Sequence, residues 1–209
     1  MVSKVIALPT REECERLWDE YHTPKHVREH MKQVGRVAKK IAEGLAQKGI
    51  DIDVELVDRA ALLHDVVRVT EWKELNVENM PYVPGEEEIQ AWKKQREAYP
   101  PSMSHTEVNY ITLKDTYPEL AEVVRTHCIT KTMDCTSWEQ KVLNYADRRV
   151  AHDVIVTVKE RLQEGENRAN EQGLEPFENY AQLINRTYEI ENEIFGKLKQ
   201  DADTFLSDL

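Results

Sequence analysis

The sequence is poor in cysteine and has no long apolar run, and each shortage argues against a class of protein. Its 209 residues include 3 cysteines. They are scattered, odd in number and without zinc-ribbon spacing, so they predict neither a disulfide framework nor a structural zinc site. We therefore expect a reducing, cytoplasmic setting. No apolar run approaches the roughly 18 residues that a membrane-spanning helix needs, and the first residues lack a signal-peptide core. We expect no membrane partner.

Basic residues are outnumbered, and this limits the partners that the chain is expected to have. Against 39 Asp and Glu there are 28 Lys and Arg, which gives a formal net charge of −11 at pH 7. A surface this acidic matches neither nucleic acid nor an anionic membrane, so no nucleic-acid partner is expected. A small anionic substrate remains compatible with this charge if a metal ion or a local basic patch reverses the field.

The composition and the spacing of the apolar residues predict helices. Charged residues make up 32% and hydrophobic residues 40%, with 7 Gly and 8 Pro, and no alternation of apolar and polar residues indicates a strand. Apolar residues recur at helical spacing instead, and Thr10 with Glu13 and Ser137 with Gln140 form capping-box patterns. We therefore predict an all-α fold with helices over 11–21, 24–48, 54–68, 104–114, 118–128, 137–164 and from 176 to about 207.

The segment 70–104 interrupts the helical pattern with prolines and a glycine around a polar stretch. We interpret it as an inserted loop region or lid that contains one short helix within 86–99. The aromatic residues of this insertion can stack on a base or pin the segment to the bundle, and pinning is the preferred interpretation. They are Trp72, Tyr82, Trp92 and Tyr99.

The last predicted helix follows a polar linker, 165–173, and carries an apolar stripe. Most such stripes pack within their own chain, and docking on a second chain is the alternative. A monomer or a homodimer is therefore expected.

Four ionisable residues fall on apolar faces of different predicted helices. His30 lies within the apolar stripe of the second helix, His64 within that of the third, and His127 shares a face with neighbouring valines. Asp147 is the most informative, because an aspartate that faces a core is costly unless it is paired or binds a metal. Imidazoles and carboxylates that converge from several helices indicate a cation inside the bundle. Such ligands suit Mn, Fe, Co or Zn.

The doublet His64–Asp65 adds specificity to this prediction. Two short side chains one residue apart can bind one ion from neighbouring directions, or bridge two ions through the carboxylate. Each histidine taken alone is more often a core residue than a ligand. The ordered set of His30, the doublet and Asp147 favours a metal site over that simpler explanation.

This order of residues resembles the HD-domain metal-dependent phosphohydrolases. The resemblance covers about residues 23–165, and its most specific part is the small apolar run before the doublet. Many members continue after the doublet with Ile-Gly-Lys, whereas Val66, Val67 and Arg68 stand here. The resemblance implies a single HD-type helical domain over 1–209, with the insertion and an additional C-terminal helix. The matching stretches are 30–34, 60–68 and 144–149.

A further likeness is to the bimetallic subgroup, which includes HD-type hydrolases of dinucleoside polyphosphates. The stretches 104–107 and 125–127 contain His105 and His127, which resemble the two additional histidines of that subgroup. The resemblance implies that Asp65 bridges to a second metal held by these histidines, and a core or supporting role is their alternative. Among the other histidines, His26 is expected at the rim of the site, and His22 and His152 are expected at the surface.

The resemblance implies hydrolysis of a small phosphorylated substrate, with a nucleotide preferred, by metal-activated water. One or two divalent ions are implied, Mn, Fe, Co, Ni or Zn, with Mg possible. His64, Asp65 and Arg68 are the catalytic candidates. Arg68, Lys73, Arg148 and Arg149 are the candidates for binding phosphate, against surface ion pairs as the simpler explanation. Arg148 and Arg149 diverge by about 100° on a helix, so at most one of them is expected to face the site.

Three alternatives stay open on the sequence. A mononuclear nucleotidase and a bimetallic phosphoesterase are both compatible with the ligands. A non-catalytic module that binds a nucleotide or metabolite is the competing function. A nucleic-acid enzyme is disfavoured, because the chain is acidic and lacks a basic stripe.

Overall fold

Helices form almost all of the regular structure in the computed structural model, which describes residues 7–72, 74–171, 173, 175 and 178–209. The predicted all-α class is confirmed. Within the described residues the helices are joined by short 3-10 turns at Arg68–Glu71, Val77–Asn79 and Ile129–Asp134. The elements are α1 (Arg11–Glu20), α2 (Lys25–Gln47), α3 (Val54–Leu63), α4 (Glu86–Glu97), α5 (His105–Leu113), α6 (Pro118–Val124), α7 (Trp138–Arg148), β1 (Val150–Ala151), β2 (Val154–Ile155), α8 (Val158–Glu171), α9 (Tyr180–Leu198) and α10 (Ala202–Leu206).

Both predicted capping boxes start helices. The Thr10 hydroxyl accepts a hydrogen bond from the Glu13 amide at 3.2 Å, and the Glu13 carboxylate accepts one from the Thr10 amide at 2.8 Å. Ser137 and Gln140 make the same reciprocal pair at the start of α7. These contacts satisfy amide groups that have no partner within the helix, so local sequence fixes where α1 and α7 begin.

The helix α2 forms the centre of the bundle, and it packs along α3 and α7 with α9 on another side. Its apolar stripe is fully buried, as the spacing predicts. Trp18 of α1 covers α3, and its indole nitrogen donates to the carbonyl oxygen of Leu62 at 2.7 Å. The buried residues of α2 are Val27, Met31, Val34, Gly35, Val37, Ala38, Ile41, Ala42 and Leu45.

The third helix is shorter than predicted, because it ends at Leu63 rather than near Arg68. The Asn109 side-chain amide donates to the carbonyl oxygen of Leu63 at 2.8 Å and also to that of His64. The Thr23 hydroxyl donates to the carbonyl oxygen of Val66 at 2.8 Å. These tertiary hydrogen bonds take carbonyl groups at which a helix would otherwise continue. The doublet therefore lies in the turn that follows α3.

The prediction of one long helix over 137–164 is wrong. The chain leaves α7 at Arg148, forms the antiparallel hairpin β1–β2 and enters α8 at Val158. His152 lies in the turn of this hairpin with a φ of 57°, in the left-handed region. Thr157 and Glu160 then make reciprocal capping contacts at 2.8 and 3.1 Å. These contacts favour a new helix start.

Part of the predicted linker is also helical, because α8 continues to Glu171. The predicted start of the last helix, residue 176, lies outside the described residues. Beyond it the chain forms α9 and α10, which are separated at Lys199 with a φ of 56°. The C-terminal segment approaches α2 closely at Gly44, where an added Cβ would lie 2.9 Å from Leu198 Cδ2.

The insertion packs against the bundle through its aromatic residues. Trp92 of α4 is fully buried and donates to the carbonyl oxygen of His22 at 2.6 Å. Trp72 packs edge-on against Trp92, with 6.2 Å between the ring centroids. These contacts agree with the pinning role that the sequence favours. In the part of the chain that the structure describes, no helix has the length and apolar character that crossing a membrane requires.

Candidate metal centre

Side chains from five elements meet at one buried place in the bundle. His30 comes from α2, the doublet from the turn after α3, His105 from the first residue of α5, His127 from the segment after α6 and Asp147 from the end of α7. Each of the six was predicted as a metal ligand, and the structure brings all six together. His64, His105, His127 and Asp147 are all less than 5% exposed.

The first donor group consists of His30, His64, Asp65 and Asp147. His30 Nε2 lies 3.0 Å from Asp147 Oδ1. His64 Nε2 lies 3.8 Å from that same oxygen and 3.8 Å from Asp65 Oδ2. The donor atoms of His30, His64 and Asp65 lie within 4.8 Å of one another. Two imidazoles and two carboxylates at these separations are suited to one divalent cation.

The second donor group consists of Asp65, His105 and His127. Asp65 Oδ1 lies 3.1 Å from His105 Nε2 and 3.2 Å from His127 Nε2. The two imidazole nitrogens are 3.0 Å apart. Asp65 therefore directs one carboxylate oxygen to each donor group, which is the arrangement that a bridging carboxylate requires.

The four histidines share one orientation. In each, Nδ1 bonds an oxygen outside the donor groups, while Nε2 points inward. The Nδ1 partners of His30, His64 and His127 are the carbonyl oxygens of His152, Ala61 and Val124, at 2.7, 2.8 and 2.7 Å. The Nδ1 partner of His105 is the Glu71 carboxylate. Carbonyl or carboxylate contacts on one ring nitrogen fix the other nitrogen as a ligand atom, as in protein metal sites.

Two inward-facing atoms of the donor groups have no hydrogen-bond partner among the described residues. They are His64 Nε2 and Asp65 Oδ1, both buried. A buried polar atom without a partner costs about 1–3 kcal/mol, so such atoms need an explanation. A cation in the first donor group would satisfy His64 Nε2, and a cation in the second would satisfy Asp65 Oδ1. The residues present therefore fit a divalent metal.

The two carboxyl groups are ionised despite their burial. Burial alone would raise the pKa of Asp65, but Arg68 and His64 outweigh it and hold that pKa well below its ordinary value. Burial likewise opposes ionisation of Asp147, and Arg148 and His30 reverse the effect, so its pKa also lies well below the ordinary value. Both groups therefore offer charged ligand atoms at neutral pH.

His64 is neutral, because burial lowers its pKa to about 4. A neutral imidazole with a free Nε2 lone pair is the form that binds a metal. Burial opposes protonation of His127 as well, but Cys128 and Asp65 raise its pKa to about 9. Burial opposes ionisation of the Cys128 thiol, yet His105 and His127 lower its pKa to about 5. The second donor group thus combines opposite charges in the metal-free chain.

Two asparagines support the site, and neither was predicted from the sequence. Asn109 holds the turn of the doublet through the carbonyl oxygens already described. The Asn144 side-chain amide donates to three successive carbonyl oxygens, those of Thr126, His127 and Cys128, at 2.9, 3.1 and 3.1 Å. Asn144 precedes Asp147 by one helical turn on the buried face of α7. A polar residue at that spacing is a signal that could have identified it.

The predicted phosphate-binding residues differ in their surroundings. Arg68 Nη1 donates to Glu71 Oε2 at 2.9 Å and lies within 2.8 Å of both ring nitrogens of His105. Arg148 pairs with the Asp147 carboxylate, and its Nε is buried with no hydrogen-bond partner in the described structure. Both guanidinium groups therefore border the donor groups, and Arg68 remains one-third exposed.

Arg149 is used within the fold instead. It donates to the carbonyl oxygen of Val156 at 2.6 Å, to the Tyr145 hydroxyl at 2.9 Å and to Asp203 at 2.6 Å. It is 3% exposed. These contacts favour Arg148 over Arg149 as a residue that faces a substrate. Lys73, the other predicted phosphate-binding residue, lies outside the described residues.

The remaining histidines do not offer atoms to the donor groups in the described structure. His26 stacks on Trp72, with a centroid distance of 5.8 Å and an interplanar angle of 12°. The His152 side chain is 80% exposed. The backbone of His152 nevertheless contributes, because its carbonyl oxygen accepts from His30. Sequence reasoning placed this residue at the surface and missed its main-chain contact.

An all-α bundle that presents histidines and aspartates from successive helices to one buried centre defines a class of helical metal-site proteins. Comparison with family models places the chain more exactly. The HD domain model matches residues 27–152, more than half of the chain, so the protein belongs to the HD-domain family. It is thereby a member of the HD-domain metal-dependent phosphohydrolase superfamily, whose domains bind divalent metals and are generally hydrolase-like. Comparison with curated proteins and with solved structures gave no match.

Proposed function

We propose that the protein is a phosphohydrolase that cleaves a phosphate ester or anhydride in a nucleotide or other small phosphorylated metabolite. One or two divalent transition-metal ions are required. The observation that carries the proposal is the convergence of two donor groups on Asp65, where His64 Nε2 and Asp65 Oδ1 are buried without a hydrogen bond in the part of the chain that the structure describes. A core built only for stability would satisfy these atoms with hydrogen bonds.

The ligands for the first ion are the first donor group, and those for the second ion include Asp65, His105 and His127. A divalent ion at such a site supplies Lewis-acid activation of water near neutral pH and attracts phosphate oxygens. The protein holds its own ligand atoms ready for this task. Asp65 and Asp147 are ionised, His64 is neutral, and the Nδ1 contacts prevent the rings from turning.

Cationic side chains at the border of the site support phosphate as the substrate group. Arg68 is positioned by Glu71 and exposes one-third of its side chain. A guanidinium presents parallel N–H donors that match two oxygens of a phosphate. Arg148 offers a second such group beside Asp147. These two cations place positive charge beside the donor groups in a chain whose net charge is −11.

A substrate screen tests the proposal. Purified protein, stripped of metal and reloaded with Mn, Fe, Co, Ni, Zn or Mg, is assayed with nucleotides, dinucleoside polyphosphates and simple phosphate esters. We expect release of phosphate or of a nucleotide by the wild type. Asp65→Asn is expected to reduce turnover to the background level, because it removes the charge shared by the two donor groups.

Asp208→Asn is the matched control, since it makes the same chemical change at a side chain that is 75% exposed. It should retain wild-type turnover. Equal activity in wild type and Asp65→Asn would refute the proposal and indicate a contaminating enzyme. Stoichiometric nucleotide binding without turnover under every metal would instead support a non-catalytic binding module.

A further inference from the structure

Cys128 lies at the second donor group, a position that no sequence motif predicts. It follows His127 directly, in the segment that leads from α6 to the 3-10 turn Ile129–Asp134. Its sulfur lies 3.4 Å from His105 Nε2 and 3.8 Å from His127 Nε2. The ligand atoms of these three residues all lie within 4.8 Å of one another. Cys14 and Cys135 are buried in the apolar core.

The separations match the edges of a tetrahedron around a metal ion. Metal bonds of about 2.0–2.1 Å to nitrogen or oxygen and about 2.3 Å to sulfur give edges of about 3.3 Å without sulfur and about 3.5 Å with it. The edges joining Asp65 Oδ1, His105 Nε2 and His127 Nε2 measure 3.0, 3.1 and 3.2 Å. The sulfur edges are the 3.4 and 3.8 Å distances to the two imidazoles. The sulfur therefore lies at tetrahedral separations from both imidazole nitrogens.

An independent observation points to a ligand at this place. Asp65 Oδ1 is buried, lies 3.1 and 3.2 Å from two imidazole nitrogens and still has no hydrogen-bond partner among the described residues. No hydrogen bond in that part of the chain therefore accounts for the inward position of this oxygen. The backbone that carries the sulfur is also fixed, because Asn144 donates to the carbonyl oxygens of both His127 and Cys128. Cys128 is held at the site by the same side chain that holds a histidine ligand.

We infer that Cys128 is a thiolate ligand of the second metal ion, together with Asp65, His105 and His127. The inference rests on metal binding as proposed above, and it does not depend on the identity of the substrate. As the metal binds, the protons that the sulfur and imidazole ligand atoms carry in the metal-free chain pass to solvent, and the oxidation state of the metal is unchanged. Thiolate prefers zinc, iron and cobalt to magnesium and manganese, so this position selects the softer metals.

Cobalt(II) reports the bond without any assay of activity. Metal-free protein is titrated with Co²⁺ in the absence of substrate and followed by absorption spectroscopy. We expect a strong near-ultraviolet thiolate-to-cobalt charge-transfer band to appear with the second equivalent. Cys128→Ser should lose this band, keep the weaker visible bands of cobalt in the first donor group, and bind the second equivalent about 10–100-fold more weakly.

Cys135→Ser is the matched control, because Cys135 is 3% exposed and its sulfur contacts the carbonyl oxygens of Thr126 and Lys131 instead. It should keep the band. The inference is overturned if wild-type protein gives no such band at two equivalents, or if Cys128→Ser retains it. Circular dichroism of both variants verifies that they are folded.

A second measurement needs no variant. The partly exposed Cys128 thiol is alkylated in metal-free protein, and mass spectrometry of the modified peptides gives its rate. Zinc should slow alkylation of Cys128 at least about tenfold, whereas Mg²⁺ at the same concentration should not. Equal rates with and without zinc would contradict the inference. If the thiolate-to-cobalt band or the protection by zinc is observed but no substrate is hydrolysed, only the proposed phosphohydrolase activity is refuted. If substrate is hydrolysed but neither the band nor the protection is observed, only the role of Cys128 is refuted.

Discussion

Two aspartates near each other in the sequence, Asp58 and Asp65, are both buried, but their carboxylates have different hydrogen-bond partners. Asp58 is fully buried within α3, and its two oxygens accept from Arg11 and Arg59, including a bond of 3.1 Å from Arg11 Nε. Asp65 lies in the turn after α3, and one of its oxygens has no hydrogen-bond partner among the described residues. Burial of an acid is common to structural and functional sites. Asp65 differs from Asp58 in having an oxygen that faces the donor groups and makes no hydrogen bond within the described residues.

The comparison also shows how cations are used. Around Asp58 the guanidinium groups complete the coordination of the carboxylate and leave no place for a ligand. Around Asp65 the nearest guanidinium nitrogen of Arg68 stays 3.9 Å from the carboxylate, while imidazole nitrogens approach more closely. Arg68 therefore lowers the pKa of Asp65 without occupying its lone pairs. That arrangement keeps Asp65 charged and available.

The largest effect on stability should follow from replacing Asp58, the aspartate with a structural role. Asp58→Asn removes the buried anion that Arg11 and Arg59 share and leaves Arg59 its ion pair with Glu55, and breaking a buried ion pair typically costs about 3–5 kcal/mol. We expect a fall of that size in the free energy of unfolding, measured by urea titration with circular dichroism. Metal stoichiometry of the folded fraction should not change. A variant as stable as wild type would show that the Asp58 ion pairs contribute little.

Removal of metal should destabilise the wild type, and this effect should depend on Asp65. Metal binds only the folded state, so saturation at about 100 times the dissociation constant stabilises the fold by about 2.7 kcal/mol. Chelation of wild type should therefore lower the melting temperature, measured by scanning calorimetry. Asp65→Asn should show little of this metal-dependent difference. If wild type and variant respond equally, the metal is not held through Asp65.

Loss of a supporting amide should weaken the site without touching a ligand. Asn144→Ala removes the donor to three carbonyl groups around His127 and Cys128, and loss of such support typically costs about 10–100-fold in metal affinity. The dissociation constant for Zn²⁺, measured by competition with a chromophoric chelator, should rise by that factor. Gln163→Ala, at an exposed position of α8, is the control. Unchanged affinity in Asn144→Ala would mean that packing alone positions the segment.

The smallest effect on stability should come from removing Arg11, the more exposed cation that pairs with Asp58. The Arg11 side chain is half exposed, and Asp58 retains Arg59 when Arg11 is replaced. Arg11→Ala should therefore cost no more than about 1 kcal/mol of unfolding free energy. The urea titration used for Asp58→Asn measures it directly. A loss as large as that of Asp58→Asn would show that Arg59 alone cannot satisfy the buried carboxylate.

Much of the site follows from local periodicity. His30 lies among the apolar residues of α2, and a helix of 3.6 residues per turn leaves few directions for it to point. The same reasoning applies to His64, even though it lies just past the end of α3, because the helical direction persists through the first residues of the turn. A histidine or aspartate on an apolar face is thus a local property that a sequence can display.

The parts that were not predicted depend on contacts between distant segments. Asn144 and Cys128 lie 16 residues apart in the chain and meet only after folding. The hairpin was missed for a different reason. Its signals are present, since Val150, Val154 and Ile155 favour a strand and Thr157 with Glu160 forms a capping box. The valines after Asp147 fit the period of a continuing helix equally well, so the local pattern does not distinguish a helix from a hairpin here.

The hairpin turn has a practical consequence for mutagenesis. His152 acts through its main chain, because its carbonyl oxygen orients His30 while its side chain extends into solvent. An alanine scan would classify this position as silent if the replacement tolerates the left-handed backbone, and His152→Gly would keep the carbonyl oxygen as well. Lengthening or shortening the loop by one residue would move that oxygen. Homology-based engineering should therefore preserve loop length here before residue identity.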